Sequence, residues 1–257
     1  MSIWAIADIH ASQTNPLTGH PSKPMDVFGD RWLDHLARLE ANWIAAVQQE
    51  DTVIIAGDID WALHPPEALE TLERLASWPG RKILLRGNHD YWWSSKTTTK
   101  VRRLLPDTVE LLHNNAIQAE GFNICGTKGS AVPGGADWSD EQAKLLNRET
   151  QRLVLSLNSR RDDLPTIVAL HFPPFYPPRD QTPYKSLIDE AGSLACAYGH
   201  LHGAGPRTGG PVGRFGRTEY FLVAGDYVDF RPVLIASGGE IVRPHRVEYN
   251  SARAVDE

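Results

Sequence analysis

The stretch Thr52-Val53-Ile54-Ile55-Ala56-Gly57-Asp58 decides the reading of this chain. Its apolar, largely β-branched run shows no polar alternation, as in a strand buried on both faces of a parallel sheet. Gly57 lets the backbone bend tightly at the strand end, and Asp58 projects past it. Moving outward, the same pattern recurs on either side. Ser2–Ala7 is an apolar run ending at Asp8-Ile9-His10, and Lys82–Arg86 is one ending at Gly87-Asn88-His89-Asp90. Between them, Asp30–Glu50 has helical periodicity, with Leu33, Leu36, Leu39, Trp43, Ile44 and Val47 on one face. Pro65 and Pro66 open a second helix that runs through Trp78 and stops at Pro79-Gly80. A β-α-β-α-β unit of this kind predicts parallel strands, right-handed crossovers and C-terminal strand ends gathered at one edge.

Farther along, a helix is predicted near Lys96–Leu105, then short strands at Val109–His113, Ala116–Glu120 and Phe122–Thr127. An Asn114-Asn115 turn joins the first two. Ser139–Ser159 reads as a long helix with Ser139 as N-cap. Strand Thr166–Leu170 leads into His171, and strand Leu194–Tyr198 into Gly199-His200-Leu201-His202. Tyr220–Ala224, Pro232–Ala236 and Glu240–Val242 are further strands. No repeat and no linker-like composition divides the chain. Residues 1–250 are therefore expected to form one α/β domain of two packed sheets, with 251–257 as a flexible tail.

The bulk properties narrow the field. The 257 residues are 41% hydrophobic and 23% charged, ordinary for a globular protein. Net charge is −6 and the 26 basic residues are dispersed, which argues against stable nucleic-acid binding. The N-terminal run lacks a basic region and ends at Asp8, so it reads as a first strand and not a signal peptide. No stretch is long and apolar enough to predict a membrane span. Cys125 and Cys196 sit in strand-like runs without CxxC spacing and are expected to be buried structural thiols. A cytoplasmic location is the expectation.

The five polar islands carry the chemistry. Asp8 and His10 are two residues apart, so on an extended strand end they face one side and can grip one ion. Asp58 has two carboxylate oxygens and can bridge two cations, Asn88 offers a neutral amide oxygen, and His200 and His202 are again two apart. Oxygen and imidazole donors without thiolate suit manganese, iron, zinc, cobalt or nickel better than calcium or a structural zinc. Two such cations, roughly 3.5–4 Å apart, clamp phosphoryl oxygens and generate hydroxide from water near neutral pH. His89 follows a donor directly but is surplus to the ion cages, so it can protonate a leaving alkoxide or steady the phosphoryl group. Asp90 is expected to orient its imidazole.

The ordered set D-x-H, G-D, G-N-H-D, H and G-H-x-H resembles the calcineurin-like metallophosphoesterase superfamily, over residues 8 to 202. That resemblance implies an α/β/β/α four-layer sandwich of two mixed sheets, with the metals at the C-terminal strand edge. It implies that Asp8, His10, Asp58 and His202 hold one divalent ion. Asp58, Asn88, His171 and His200 would hold a second, with His89 as the catalytic imidazole. The stretch Lys23–Gly29, Trp61 and Tyr91-Trp92-Trp93 look similar to a bacterial branch of predicted phosphohydrolases. The resulting expectation is hydrolysis of a small phosphodiester, a cyclic or linear nucleotide among the candidates, with manganese foremost as cofactor. Phosphomonoesterase, protein phosphatase, nuclease and non-catalytic scaffold are the alternatives. The partner is a small phosphorylated substrate, and no membrane partner is expected.

Several other groups have a bland reading beside a functional one. His20, His35, His64, His113 and His245 are read as structural or solvated. Asp60 is read as a loop carboxylate behind the ligands. Tyr91-Trp92-Trp93 and Phe172-Pro173-Pro174-Phe175-Tyr176 either stack on a flat substrate group or form rigid apolar loops that fix the ligands. Arg86, Lys128, Arg179 and Arg207 are candidates to meet a phosphate oxygen, although lone basic side chains are ordinarily solvated.

Overall fold

A computed structural model describes residues 1–133, 138–203 and 209–243. Its strands are β1 (Ser2–Ile6), β2 (Thr52–Ala56), β3 (Arg81–Leu85), β4 (Val109–Leu111), β5 (Ile117–Ala119) and β6 (Phe122–Thr127). They continue as β7 (Thr166–Leu170), β8 (Ala195–Tyr198), β9 (Gly213–Phe215), β10 (Thr218–Leu222), β11 (Val233–Ser237) and β12 (Glu240–Ile241). The α-helices are α1 (His35–Ala46), α2 (Leu69–Ser77), α3 (Thr98–Leu104), α4 (Asp140–Asn158) and α5 (Pro183–Glu190).

The strands form two six-stranded mixed sheets, ordered β12-β11-β1-β2-β3-β4 and β5-β6-β7-β8-β10-β9. In the first, β1 to β4 are parallel, β11 pairs antiparallel with β1, and β12 pairs antiparallel with β11. In the second, β6, β7, β8 and β10 are parallel and β5 and β9 close the edges antiparallel. The period of two sorts each central strand to two sides. Ile3, Ala5, Ile54, Ala56 and Ile83 pack between the sheets against Ile124, Ile167, Ala169, Ala197 and Phe221. Small alanines on these inner faces let the sheets come close. Outward, Ile6, Val53, Ile55 and Leu84 meet Leu39 and Trp43 of α1 and Leu72 and Leu75 of α2. On the far side Val168, Leu170 and Cys196 meet Leu146 and Leu153 of α4 and Ile188 of α5. The layers are thus α/β/β/α, the architecture the resemblance implied.

The differences from expectation have local causes. The first helix begins at His35 because Asp34 takes a left-handed φ of +48°. Short 3-10 turns at Asp26–Phe28 and Asp30–Trp32 precede it. Leu33 and Ile44 are therefore off the buried face, 50% and 56% exposed. β4 and β5 do not form a hairpin across Asn114-Asn115: β4 ends the first sheet and β5 opens the second, so the turn carries the chain between layers. α5 and β9 were not anticipated, although Thr182-Pro183 is a helix-start signature and the Thr182 hydroxyl accepts the Lys185 N–H. Both cysteines are buried free thiols. Arg207, His245 and the anticipated tail at 251–257 lie outside the described residues. Among the described residues, no helix is long and apolar enough to cross a membrane.

Candidate metal centre

All five polar islands emerge at the C-terminal ends of parallel strands β1, β2, β3, β7 and β8. Beyond the strand ends the backbones stay paired, with Asp8 N–H to Gly57 O and His10 N–H to Asp58 O, both 2.9 Å. Ala7 N–H donates to Val223 O at 2.8 Å, joining the two sheets at this edge. Two glycines permit that closeness. A Cβ on Gly57, whose φ is +94°, would lie 2.6 Å from His171 Nδ1. One on Gly199 would lie 2.4 Å from Ala7 Cβ and 2.6 Å from Asp8 Oδ2. Four of the converging residues, Asp8, His10, Asp58 and His200, have φ between +48° and +70°. Non-glycine residues there cost on the order of 1–3 kcal/mol each and persist where the surroundings impose them.

Asp8, His10, Asp58 and His202 bring one donor atom each within 4.8 Å of one another. His10 Nε2 lies 3.3 Å from His202 Nε2 and 3.7 Å from Asp58 Oδ2. The second set gathers around the same carboxylate oxygen. His171 Nε2 is 3.4 Å from Asp58 Oδ2 and 2.8 Å from Asn88 Oδ1, and the His171 and His200 rings are 5.1 Å apart. His171 Nδ1 faces Ala56 O at 3.0 Å, which aims Nε2 at the centre. The other halves of both carboxylates are tied to backbone: Asp58 Oδ1 accepts from His89 N–H and Asp8 Oδ2 from His200 N–H.

Asp8 Oδ1, Asp58 Oδ2 and His200 Nδ1 are buried without a hydrogen-bond partner. Buried acceptors left unpaired cost about 1–3 kcal/mol each, more when charged. Divalent cations would satisfy these atoms, and the donor set, all oxygen and imidazole, suits borderline metals. Against the penalty of burial, the charge of His171, then that of His10, hold Asp58 below the usual carboxylate range. Burial works against the His171 imidazolium too, but Asp58 and Asp8 raise it to about 9. Burial pushes Asp8 well above the usual range, His10 well below it, and His200 down to about 3. Neutral imidazoles of this kind have a lone pair to give.

The expectation that Asp90 orients the His89 ring is not met. Its carboxylate is buried and accepts five N–H groups: Asp58, Ile59, Asp60 and Gly87 of the backbone, and Trp92 Nε1, at 2.7–3.2 Å. It pins the Gly57-Asp58 and Gly87-Asn88 loops to each other. The His89 ring instead has Tyr91 OH at 3.1 Å from Nδ1 and Trp61 at 4.5 Å between ring centres. Its Nε2 is 4.0 Å from Asp58 Oδ2. Asp60 is a loop carboxylate as expected, accepting from Ala62 N–H at 2.6 Å and Thr71 OH at 2.5 Å.

Of the aromatic residues, Trp92 and Trp93 are core, 1% and 0% exposed, and Phe175 is buried against Phe215 and Tyr220. Tyr91, Phe172 and Tyr176 remain at the surface of the site. Phe172 lies 4.0 Å from the His200 ring, and a cavity of about 400 Å³ opens beside Asn88, His200, Phe172, Tyr176 and Lys128. Arg86 is half-buried with Nε to Asp90 O, and Arg179 is exposed. Sequence reasoning passed over Asp226, whose carboxylate accepts Gly203 N–H at 2.8 Å and steadies the His202 loop. A signal existed: Val223-Ala224-Gly225-Asp226 repeats the pattern of Ile55-Ala56-Gly57-Asp58. Trp32, edge-on to His10 and His202 at 5.7 and 5.8 Å, had no such signal.

The family profile "calcineurin-like phosphoesterase" matches residues 1–204. Among solved structures, the chain is similar to the phosphopantetheinyl hydrolase of Mycobacterium tuberculosis at 16% identity and a TM-score of 0.54, over 90% of this chain and 95% of that one. It is also similar to a protein of unknown function from Aquifex aeolicus at 17% identity and a TM-score of 0.45, over 91% and 95%. No curated protein matches the sequence significantly.

Proposed function

This chain belongs to the calcineurin-like phosphoesterase family, and from that premise we propose that it is a two-metal hydrolase of small phosphodiesters, cyclic or linear nucleotides among them. Membership makes it a metal-dependent phosphohydrolase; the diester preference and the assignment of residues are our reading. The observation that carries it is the convergence of Asp8, His10, Asp58 and His202 within 4.8 Å around buried carboxylate oxygens that have no hydrogen-bond partner among the described residues. Asp8, His10, Asp58 and His202 would hold one cation, and Asp58, Asn88, His171 and His200 the other, with manganese our choice. When bound, the two ions neutralise phosphoryl oxygens and acidify water.

The chain's own residues supply the rest. Asp58 Oδ2 is shared between the two sets, and the backbone bond to Oδ1 keeps it there. Tyr91 OH lies 3.1 Å from His89 Nδ1; in the tautomer in which that hydroxyl donates, the ring proton sits on Nε2, the nitrogen that faces Asp58. Held against Trp61, that N–H is positioned to donate to a departing alkoxide. A proton donor matters most when the leaving group is a poor one, and this supports a diester. The cavity beside Asn88 and His200, with Phe172 and Tyr176 in its wall, has room for a substrate's organic part. The unit covers residues 1–250 in our reading, and the buried free thiols suit a reducing cytoplasm.

The test is hydrolysis of a bis-aryl phosphodiester against the mono-aryl phosphate, with Mn²⁺ or with chelator. The expected result is Mn²⁺-dependent turnover favouring the diester and abolished by chelation. Faster turnover of the monoester reverses the diester assignment. Turnover of neither with any divalent metal leaves a scaffold that retains the fold.

A further inference from the structure

The cavity beside Asn88 and His200 is lined by one cation, Lys128, whose ammonium forms no hydrogen bond or ion pair with a carboxylate among the described residues. Lys128 follows β6, and its backbone oxygen accepts the N–H of His171 and of Phe172 at 3.1 and 3.0 Å. The residue is thereby fixed to the second ligand set. Its ammonium lies 5.0 Å from the centre of the Phe172 ring, which itself lies against His200. Among the described residues that cation–π contact is the only close contact of Nζ, which forms no hydrogen bond or ion pair with a carboxylate or carbonyl. The carboxylate whose charge reaches Lys128 is Glu149. Glu149 is buried and already engaged by Thr127 OH at 2.8 Å, Arg152 at 2.7 Å and Arg148 at 3.5 Å. Arg86, Arg148 and Arg152 add three positive charges around Lys128 against that one negative charge. Among the described residues that line the cavity, Lys128 is the one lysine or arginine, and no carboxylate lines it.

A half-buried ammonium loses solvation without gaining a partner, and the loss is recovered if a ligand supplies the anion. The scissile phosphate is served elsewhere, by the cation ligands and by His89, whose ring lies among His10, Trp61 and Tyr91 on the opposite flank. Lys128 lines the cavity together with Ser130 and Tyr176, where the organic part of a substrate would extend. We propose that Lys128 is a specificity-determining residue that receives a second anionic group, a carboxylate or phosphate, on the small organophosphate this site hydrolyses. The proposal rests on the phosphoesterase reading above.

The test compares two Mn²⁺-dependent aryl phosphodiesters that differ only by a carboxylate on one ester group. Wild type should prefer the carboxylate-bearing diester by roughly tenfold or more in kcat/KM, chiefly through KM. Lys128→Met keeps the apolar stem over Phe172 and should reduce the preference to within about twofold, while Lys128→Arg should keep most of it. Lys128→Gln serves if the methionine variant does not fold, as judged by thermal unfolding and metal content. A second arm needs no turnover: calorimetric titration of the Mn²⁺-loaded protein with phosphonoacetate and with methylphosphonate. Chelation by phosphonoacetate is common to all variants, so the quantity read is the fall in its advantage when Lys128 is replaced. Turnover of neither diester defeats the phosphoesterase reading alone, and the titration still decides on Lys128. No preference in wild type, or an equal preference after loss of the charge, overturns the proposal.

Discussion

On the flank of the centre that carries His10 and His202, buried carboxylates hold the ligand loops. On the flank that carries His171 and His200, a single carboxylate bond, Asp8 Oδ2 to His200 N–H, is joined by ring packing and a backbone carbonyl. Asp90 accepts three backbone N–H groups from the loop of the shared Asp58 and ties it to Gly87 N–H and the Trp92 indole, Asp60 ties the same loop to Thr71 of α2, and Asp226 holds the loop of His202. Across the site, His171 is aimed by Ala56 O, and the His200 ring is covered by Phe172. The first arrangement resists displacement because each lost carboxylate leaves several buried donors unpaired. The second is cheaper to deform and borders the cavity, where a substrate must enter. One side is built as a frame and the other as a binding wall, and Asp58 Oδ2 is the atom they share.

Removing that shared atom should erase the distinction and have the largest effect. Asp58→Ala is expected to lose both ions and roughly 10³-fold or more in diester turnover, since several kcal/mol of charge stabilisation disappear together. Elemental analysis of the purified variant alongside its rate checks this; retention of one full equivalent of metal would show the flanks to be independent. His89→Ala should come next, with kcat down by about 10²–10⁴-fold and metal content near wild type. If the ions leave with the ring, His89 is a ligand and its assigned part in catalysis fails. Tyr91→Phe, which removes only the hydroxyl at Nδ1, should lower kcat by a smaller factor, about tenfold or less, with metal content unchanged.

The two flanks also differ in how legible they were. Every proposed ligand position follows an apolar run whose end can be read from the sequence, because a strand buried on both faces announces itself without alternation. Parallel strands then put the ends on one edge, so the grouping of Asp8, Asp58, Asn88, His171 and His200 is legible in the sequence. What could not be read was which side chain each carboxylate serves. Asp90 sits beside His89 in sequence, yet the left-handed turn at Asp58 presents a row of N–H groups to it from a loop thirty-odd residues earlier. Trp92 and Trp93 look like a substrate platform in sequence; the chain after Asp90 turns them inward to the outer face of the first sheet. The change of layer at Asn114-Asn115 was hidden for a similar reason, since the partners of β4 and β5 lie in different sheets.

Breaking the frame alone should be possible at Asp90. Asp90→Ala leaves five donors unsatisfied in a buried setting and is expected to destabilise the protein by about 3 kcal/mol or more, with weakened binding of the ions. Phe172→Ala, the corresponding cut on the other flank, should lower the affinity of the second ion while costing less stability, because Phe172 is only half-buried. Paired denaturant melts and metal titrations check the contrast. Equal losses of stability would mean that the two flanks are framed alike.

The smallest effect belongs to Asp60, and its sign can be worked out. Burial pushes this carboxyl up to about 6 from 3.8, opposed by the hydrogen bonds from Thr71 and Ala62. The folded state therefore holds the proton more tightly than the unfolded chain does. The resulting stabilisation is fully present below pH 3.8 and is lost as pH rises through about 6. Asn at this position mimics the protonated acid, with its oxygen accepting from Ala62 N–H and its amide donating to Thr71. In metal-free protein, Asp60→Asn should consequently gain on wild type by roughly 1–3 kcal/mol between pH 4 and pH 7, and change little above that. Urea melts across this range check it. A difference independent of pH would mean that Asp60 stays ionised in the fold, so that the frame on this flank is held by charge at both Asp58 and Asp60, with the His10–His202 side correspondingly more attractive to a cation than its geometry alone suggests.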